Sequence, residues 1–362
     1  MTQAAVRDDA TQFSADALRV FVAGVAAGVG MGPEDALLFV DGIVEADLRG
    51  ISTHGIYRLP VYARGFRTGA INPRPTLSVL RERAATMLVD ADNGLGVVVG
   101  QRAMDLAVGL ARASGLGAVG VRNSNHSGML AVHVLRAAGQ DMIGQFLSNT
   151  PALMAPHGGR ESVMSNSPMA WAIPTSTWPI VLDMATSAVA RGRIRLAAQR
   201  NERIPSGWAV DRDGYPAEDA HAAMTGTVLP MAGHKGYGLA LVNEILAAAL
   251  PGARLGFDVP RGFLAEGAQS LDSWGIGHLA IAISIDAFGD VDSFKAAVDR
   301  YRNAIVSSRR AAGTDRIFVP GEMEHGYREN AISTGLRIPA DVLRSLDALA
   351  EELDIEPLRA VA

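Results

Sequence analysis

Between Thr86 and Ile285 the sequence alternates short β-rich runs with helical stretches, and this alternation restricts the possible folds more than any other feature. The runs Thr86–Asp90, Ala118–Arg122, Met142–Leu147, Met169–Ile173 and Ile180–Leu182 are each too short to be anything but strands packed under helices. Lys235–Ala249 has helical apolar spacing and His278–Ile285 alternates as a strand; Ile204–Val210 with Asp211–Gly214 reads as an edge excursion and turn. The ends differ. Ser14–Gly28, Pro33–Leu48, Ser293–Ala312 and Ala340–Leu353 are helical, with Ser14 placed to cap and Pro33 in a first turn. The expected fold is therefore α/β, in α+β layers, with the N- and C-terminal helices packed together around a central sheet. Residues 1–75 would pack with 290–362, leaving 76–289 as the central unit.

Composition removes several classes of function. The 362 residues carry a formal charge of −5 and no basic cluster longer than Arg309-Arg310, so no nucleic-acid or anionic-membrane partner is expected. With no cysteine, disulfides, thiolate metal sites and cysteine nucleophiles are excluded together. Leu239–Leu250, the longest apolar stretch, is broken by Asn243 and Glu244 and falls short of the roughly 20 residues a membrane helix needs. Met1 to Asp9 lacks the basic-then-apolar pattern of a signal peptide, and the expected location is the cytoplasm.

Strand Thr86–Asp90 followed by Gly94-Leu95-Gly96-Val97-Val98-Val99-Gly100 looks like a dinucleotide phosphate loop. The spacing has one residue too many, and the next strand ends at Arg122 rather than at an acid. Turn and packing glycines are the preferred reading.

Four polar constellations carry possible chemistry. Ser52-Thr53-His54-Gly55-Ile56-Tyr57-Arg58 puts a hydroxyl, an imidazole and a guanidinium within about one helical turn. With Thr53 capping a helix, His54 would sit in its first turn and Arg58 on the same face, a proton donor beside a carboxylate clamp. A capped turn with a surface His and Arg is the plain alternative. Asn123–Gly128 follows an apolar strand, where open sheets place ligands, and makes His126 a second candidate; it could equally be a satisfied loop histidine. Ser165-Asn166-Ser167-Pro168 and Leu182–Ser187 repeat the strand-then-small-polar arrangement, with Asp183 either a ribose acceptor or a helix cap. His234 and Lys235 open an apolar helix where phosphate would be attracted, unless Lys235 is merely solvated. No histidine pair has ligand spacing with an acid nearby, so no metal is expected, and there is no Gly-x-Ser-x-Gly elbow.

Taken in order, Asp47–Gly50 with Thr53-His54-Gly55, Asn123–Gly128, Leu182–Ser187, Gly233–Leu239 and Val319-Pro320-Gly321-Glu322 make the chain resemble the malate/L-lactate dehydrogenase family from about Ser14 to Leu353. These NAD(P)-dependent oxidoreductases lack the usual dinucleotide-binding fold. They include malate, sulfolactate and ureidoglycolate dehydrogenases, a diketogulonate reductase and a piperideine-2-carboxylate reductase. The resemblance implies a non-Rossmann fold with a central mixed sheet, NAD or NADP as cofactor, and a homodimer with sites near the subunit interface.

It further implies His54 as proton donor oriented by Thr53, Arg58 on the substrate carboxylate, and Ser165 near the substrate. His126, Ser127, Gly128, Met129 and Leu130 would line the cofactor, joined by Asp183, Met184, Ala185, His234, Lys235, Pro320, Gly321 and Glu322. Thr53 stands where serine is usual, and Ser127 where phenylalanine is. Arg193 replaces an acid of the imine-reducing members, which leans toward an oxo acid as substrate. The expected reaction is hydride transfer between NAD(P) and a small 2-oxo or 2-hydroxy acid, the cofactor being needed because side chains cannot accept hydride. The alternatives are reduction of a cyclic 2-imino acid and a homologue that binds NAD(P) without turnover, the latter having no use for a proton donor.

Overall fold

The computed structural model describes residues 10–260 and 273–360; Met1–Asp9, where no export signal is expected, lie outside the described residues. The chain opens with β1 (Thr11–Phe13), α1 (Ala15–Gly28), α2 (Pro33–Leu48) and α3 (Leu59–Arg67). Ser14 caps α1 by accepting from the Ala17 N–H at 3.1 Å, and Pro33 opens α2. The middle of the chain supplies β2 (Ser78–Arg83), β3 (Thr86–Asp90), α4 (Gly96–Ser114), β4 (Leu116–Ser124), α5 (Ala131–Ala138), β5 (Met142–Ser148), β6 (Met169–Ile173) and β7 (Ile180–Met184). Next come α6 (Arg191–Gln199), β8 (Ala209–Val210), α7 (Ala220–Thr225), β9 (Thr227–Val228), α8 (His234–Glu244) and β10 (Ile276–Ser284). The chain closes with α9 (Val291–Val306), α10 (Glu322–Thr334), β11 (Leu336–Ile338) and α11 (Ala340–Leu353).

Seven strands form one mixed sheet in the order β2-β3-β4-β10-β5-β6-β7. Only β3 and β4 run parallel; the other neighbours pair antiparallel. The expected α/β core with a mixed sheet is thus observed. β10 sits in the middle, joining β4 on one side and β5 on the other. Edge strand β2 is exposed along its whole length, and its Arg81, Glu82 and Arg83 discourage pairing with another chain. Helices α4 and α5 cover one face with the alanine-rich and valine-rich cluster that contains Val119, Val121, Phe146 and Ala280.

The two ends of the chain share a second core. Leu18, Phe21 and Val22 of α1 and Phe39 and Ile43 of α2 belong to one buried cluster with Leu346, Leu349 and Ala350 of α11, and β1 pairs with β11. α9 behaves differently: it buries no residue and is tied beside the sheet through Lys295–Asp141 and Arg302–Thr177. Several elements differ from expectation, β4, β5 and β7 by one or two residues at an end and β8 by covering only Ala209–Val210. The helix expected over Ser293–Ala312 ends at Val306, Lys235–Ala249 is α8 followed by a π-turn over Ile245–Ala249, and α10 was not anticipated.

Two glycines of the α4–β4 unit make opposite demands. A Cβ on Gly117 would lie 2.0 Å from the Ala107 carbonyl oxygen of α4, so α4 rests directly on that strand backbone. Gly109, exposed within α4, has nothing within 4 Å of its Cβ direction. Gly109→Ala should stabilise by about 0.5–1 kcal/mol through helix propensity. Gly117→Ala should destabilise by roughly 1–3 kcal/mol or more from overpacking against backbone. Urea unfolding midpoints check both; equal shifts would show that α4 does not sit on β4 as described.

Candidate active site

α2 ends at Leu48, and the chain then makes two three-residue 3-10 turns, Ser52–His54 and Ile56–Arg58, before α3 begins with Pro60 in its first turn. The expected helix capped by Thr53 does not form. The reason lies beneath it: the Asp47 carboxylate accepts the Ile56 N–H at 2.8 Å, and a Cβ on Gly55 would fall 2.1–2.3 Å from the carboxyl atoms. The backbone is drawn down onto a buried side chain instead of into a helix. Burial pushes the Asp47 carboxyl up to about 7, opposed by the Ile56 hydrogen bond. Thr53 uses its hydroxyl on the neighbouring imidazole, Oγ1 to His54 Nδ1 at 3.0 Å.

Above this turn the His54 ring stacks on that of His126, centroids 5.6 Å apart and planes at 16°. Tyr62, fully buried on α3, places its hydroxyl 2.7 Å from His126 Nδ1, and the Gly128 N–H donates to the same nitrogen at 3.3 Å. A backbone N–H can only donate, so Nδ1 of His126 is an acceptor and its proton sits on Nε2. Trp274 closes the back edge-on to His126, at 6.4 Å.

Arg58 supplies the only strong field in this group. Its Nε donates to the Thr53 carbonyl at 2.8 Å, and no carboxylate pairs with it among the described residues. Burial first, and the Arg58 charge second, lower the His54 pKa to about 4; burial, then Arg58 and His54, hold His126 well below the usual imidazole range. Burial keeps the Tyr62 phenol protonated. The site therefore contains two neutral imidazoles, each with a hydroxyl partner, beside a guanidinium that has no carboxylate partner among the described residues.

The loop after β4 is locked from below. His278 of β10 bridges Ser124 Oγ through Nε2 and Ser148 Oγ through Nδ1, both at 2.9 Å. Ser148 donates to the Asn149 carbonyl, so Nδ1 of His278 carries the proton and Nε2 accepts from Ser124. Ser127 joins this chain through Ser148 at 3.5 Å, while its carbonyl accepts from His133 Nε2 at 3.0 Å. Met129 and Leu130 point into the α4–α5 core. Gly128 has a φ of +66° and approaches Val97, and a Cβ on Gly96 would strike the Asn125 and His126 backbone. Gly94, Gly96 and Gly100 are thus packing glycines, as expected, with Gly100 against the His133 ring.

The remaining expected residues fall in distinct places. Asp183 does act as a cap, but of α5 across the sheet: its Oδ2 accepts from the Ala131 N–H at 2.7 Å, and although the residue keeps exposed surface, burial around the carboxyl pushes its pKa up to about 6, opposed by the Ala131 and Leu130 N–H bonds. Met184 and Ala185 follow it, half-buried. Ser165 is fully buried and spends its Oγ on the Thr150 and Ser167 N–H groups and the Thr150 hydroxyl, which leaves it shaping the 149–167 loops. Arg193 is exposed on α6, with no hydrogen bond or ion pair to His54 or Arg58.

His234 and Lys235 open α8, which has neither a side-chain cap nor an acid in its first turn, and Lys235 is exposed. Gly321, at φ +82°, lets α10 start against the Val181 backbone, the Val181 N–H donates to the Pro320 carbonyl at 3.1 Å, and Glu322 accepts the Val319 N–H ahead of the helix while pairing with Arg316. Among the described residues no group of three or more His, Asp or Glu could hold a metal. A nicotinamide dinucleotide fits these donors. An uncapped helix start with a lysine suits phosphate, and the Asp183 carboxylate at a strand end suits ribose hydroxyls. Tyr62, Trp274 and His278 were not singled out from sequence, and Asp47 entered only as the start of the Asp47–Gly50 motif, with no role at the site.

Known proteins are similar to this chain over nearly its whole length. A family model described as malate/L-lactate dehydrogenase matches residues 13–347. The L-sulfolactate dehydrogenase of Methanocaldococcus jannaschii is 39% identical over 326 residues, covering 90% of this chain and 92% of that protein. The malate dehydrogenase of Pyrococcus abyssi is 35% identical over 351 residues, 95% of each. The solved structure of the sulfolactate dehydrogenase from Methanocaldococcus jannaschii superposes with a TM-score of 0.90 at 36% identity, covering 97% of this chain and 100% of that one.

A carboxylate seated on Arg58 would cancel one of the two causes that depress the His54 pKa. Binding of a small carboxylate such as oxamate should therefore take up a proton at His54. By linkage its affinity should strengthen as pH falls through the bound-state pKa and level off below about 4. Titration calorimetry in two buffers of different ionisation heat measures that uptake. No uptake anywhere between these pKa values would dissociate Arg58 from the carboxylate.

Proposed function

The chain belongs to the malate/L-lactate dehydrogenase family, and on that premise we propose that it interconverts a small 2-hydroxy acid and the 2-oxo acid with NAD or NADP. The observation that carries this reading is the Arg58 guanidinium, without a carboxylate partner among the described residues, beside two neutral imidazoles each held by a hydroxyl. A small acid anion completes such a site electrostatically and puts its carbinol carbon next to a base.

The cofactor, when bound, supplies the hydride chemistry that no side chain here can perform. Lys235 and the start of α8 would hold its phosphates, Asp183 its ribose hydroxyls, and loop 126–130 its nicotinamide end. The protein's own work is at the substrate. Arg58 grips the carboxylate with the terminal nitrogens left free by its Nε–Thr53 bond. His54, neutral above about pH 4, accepts the hydroxyl proton during oxidation and returns it to the carbonyl oxygen during reduction, while Thr53 fixes its ring. A second reading has specific support: the double acceptor role of His126 Nδ1 fixes an N–H on its other nitrogen, so His126 can itself be the proton carrier with Tyr62 behind it.

We place the enzyme in the cytoplasm as a homodimer. The support for association is the exposed apolar set Leu241, Val242 and Ile245 at helical spacing along α8 and its π-turn. No helix among the described residues is long and apolar enough to cross a membrane.

Single-turnover kinetics with a panel of 2-oxo acids and one cyclic imino acid, run with NADH and NADPH, test the activity. His54→Ala should lose at least about 10²-fold in turnover with cofactor affinity little changed, the usual scale for a general acid. If His126→Ala shows that loss and His54→Ala stays within a few-fold, the second reading replaces the first. Arg58→Lys keeps the charge but not the fork. It should cost about one to two orders of magnitude in kcat/KM, with cofactor affinity by fluorescence titration unchanged. Oxidation of NAD(P)H by the imino acid alone would move the substrate class to C=N reduction.

A further inference from the structure

Asp47 is a buried acid to which this reaction assigns no role. It sits in the last turn of α2, 8% exposed, and its carboxyl lies under the 3-10 turns that carry His54 and Arg58. One oxygen takes the Ile56 N–H at 2.8 Å, and the Gly55 α-carbon rests so close that any Cβ would meet the carboxyl at 2.1–2.3 Å. No cation compensates it among the described residues. The neighbouring acid Glu45 holds Arg49 at 2.7 Å and Arg328 of α10 at 2.8 Å, and no ion pair to Asp47 exists among the described residues.

A carboxyl buried with a single strong hydrogen bond and no counter-ion costs stability, so what it contributes must be sought in geometry. The geometry is specific. Ile56 lies between His54 and Arg58, and those two are already tied through the Thr53 carbonyl on Arg58 Nε and the Thr53 hydroxyl on His54 Nδ1. Segment 53–58 has no helix ladder of its own beyond two single 3-10 turns. The Ile56 N–H on Asp47 ties its middle to α2, where the buried Ile56 side chain joins the same core as Ile43 and Leu48.

We infer that Asp47 is a positioning residue that pegs the Thr53–Arg58 segment to α2, setting the placement of the His54 ring and Arg58 guanidinium relative to His126 and Tyr62. The role belongs to its acceptor oxygen and not to its charge. The raised pKa of about 7 agrees, because the acceptor is present in both protonation states. The proposal rests on reading segment 53–58 as the proton and carboxylate site. A misplacement of about 1 Å there suffices for a loss on the order of 10²-fold in rate.

Three variants of the full-length enzyme test it. Asp47→Asn keeps an acceptor oxygen of the same reach and should hold kcat within about threefold of wild type. Asp47→Ala should lower kcat by roughly 10- to 100-fold with cofactor affinity within about twofold. Gly55→Ala drives a methyl into the same contact and should reproduce the Asp47→Ala loss. The double variant Asp47→Ala/Gly55→Ala should be no worse than either alone, since both break one contact.

The cofactor-free protein gives a second readout. The NMR titration of the His54 ring should follow wild type in Asp47→Asn and shift in Asp47→Ala and Gly55→Ala. Should Asp47→Ala fail to fold, the Asn and Gly55 variants still decide. Asn as damaging as Ala, or Gly55→Ala at wild-type turnover with an unmoved His54 titration, would overturn the peg. His54→Ala measured alongside separates the two ideas: full turnover there removes the site reading, whereas a large loss there with an undisturbed Asp47→Ala removes only this one.

Discussion

The insertion of β10 between β4 and β5 is the constraint on which the rest of the molecule depends. Without it the sheet is two pieces, β2-β3-β4 and β5-β6-β7, because no other strand joins them. β10 arrives roughly 160 residues after the strand it pairs with on one side, so the sheet closes only after a long loop has been ordered. The same strand also carries His278, whose ring ties the ends of β4 and β5 through Ser124 and Ser148. Burial holds this imidazole neutral, its pKa pushed down to about 3, as a ring that must donate at one nitrogen and accept at the other. Closing the sheet and setting the base of the 124–128 loop are therefore one event.

The site also holds a cation with no carboxylate partner among the described residues. Arg58 is only half-buried and its Nε is satisfied by a backbone carbonyl, so the guanidinium costs less than a fully buried ion would. Its field falls on His54 and His126, both already disfavoured as cations by burial. The two effects reinforce each other in the free protein and part company when an anion arrives. Burial remains, the Arg58 contribution is screened, and the imidazole basicity recovers. Substrate charge, carboxylate binding and proton affinity are coupled through a single side chain.

The segments easiest to read in the sequence are those whose local pattern agrees with their burial. β3 and β6 have the expected limits because each is a short apolar run, and α11 does because Leu346, Leu349 and Ala350 repeat at helical spacing. β2 is exposed throughout, and α10 buries only Ala331, so neither carries a periodic signal to find. The site divides similarly. Thr53, His54 and Arg58 are neighbours along the chain and were legible as a group. Tyr62 continues the same four-residue spacing after Arg58, a signal that was present but unused. Trp274 and His278 reach the site only through the placement of β10, which no local pattern encodes.

The segment that failed as a helix is the most informative of the departures from local expectation. Thr53 is a good capping residue, and a helix starting there would bring His54 into a positive dipole. The chain instead forms two 3-10 turns, which give up that dipole and the regular hydrogen-bond ladder. What it gains is a Thr53 hydroxyl free to hold the imidazole, a Thr53 carbonyl free to hold Arg58, and an Ile56 N–H satisfied from below by Asp47. The Thr53 hydroxyl and carbonyl thus reappear as bonds that orient His54 and Arg58. Local propensity is overruled here by a buried carboxyl on the preceding helix, and it is overruled at the place where the chemistry needs fixed directions instead of a regular backbone.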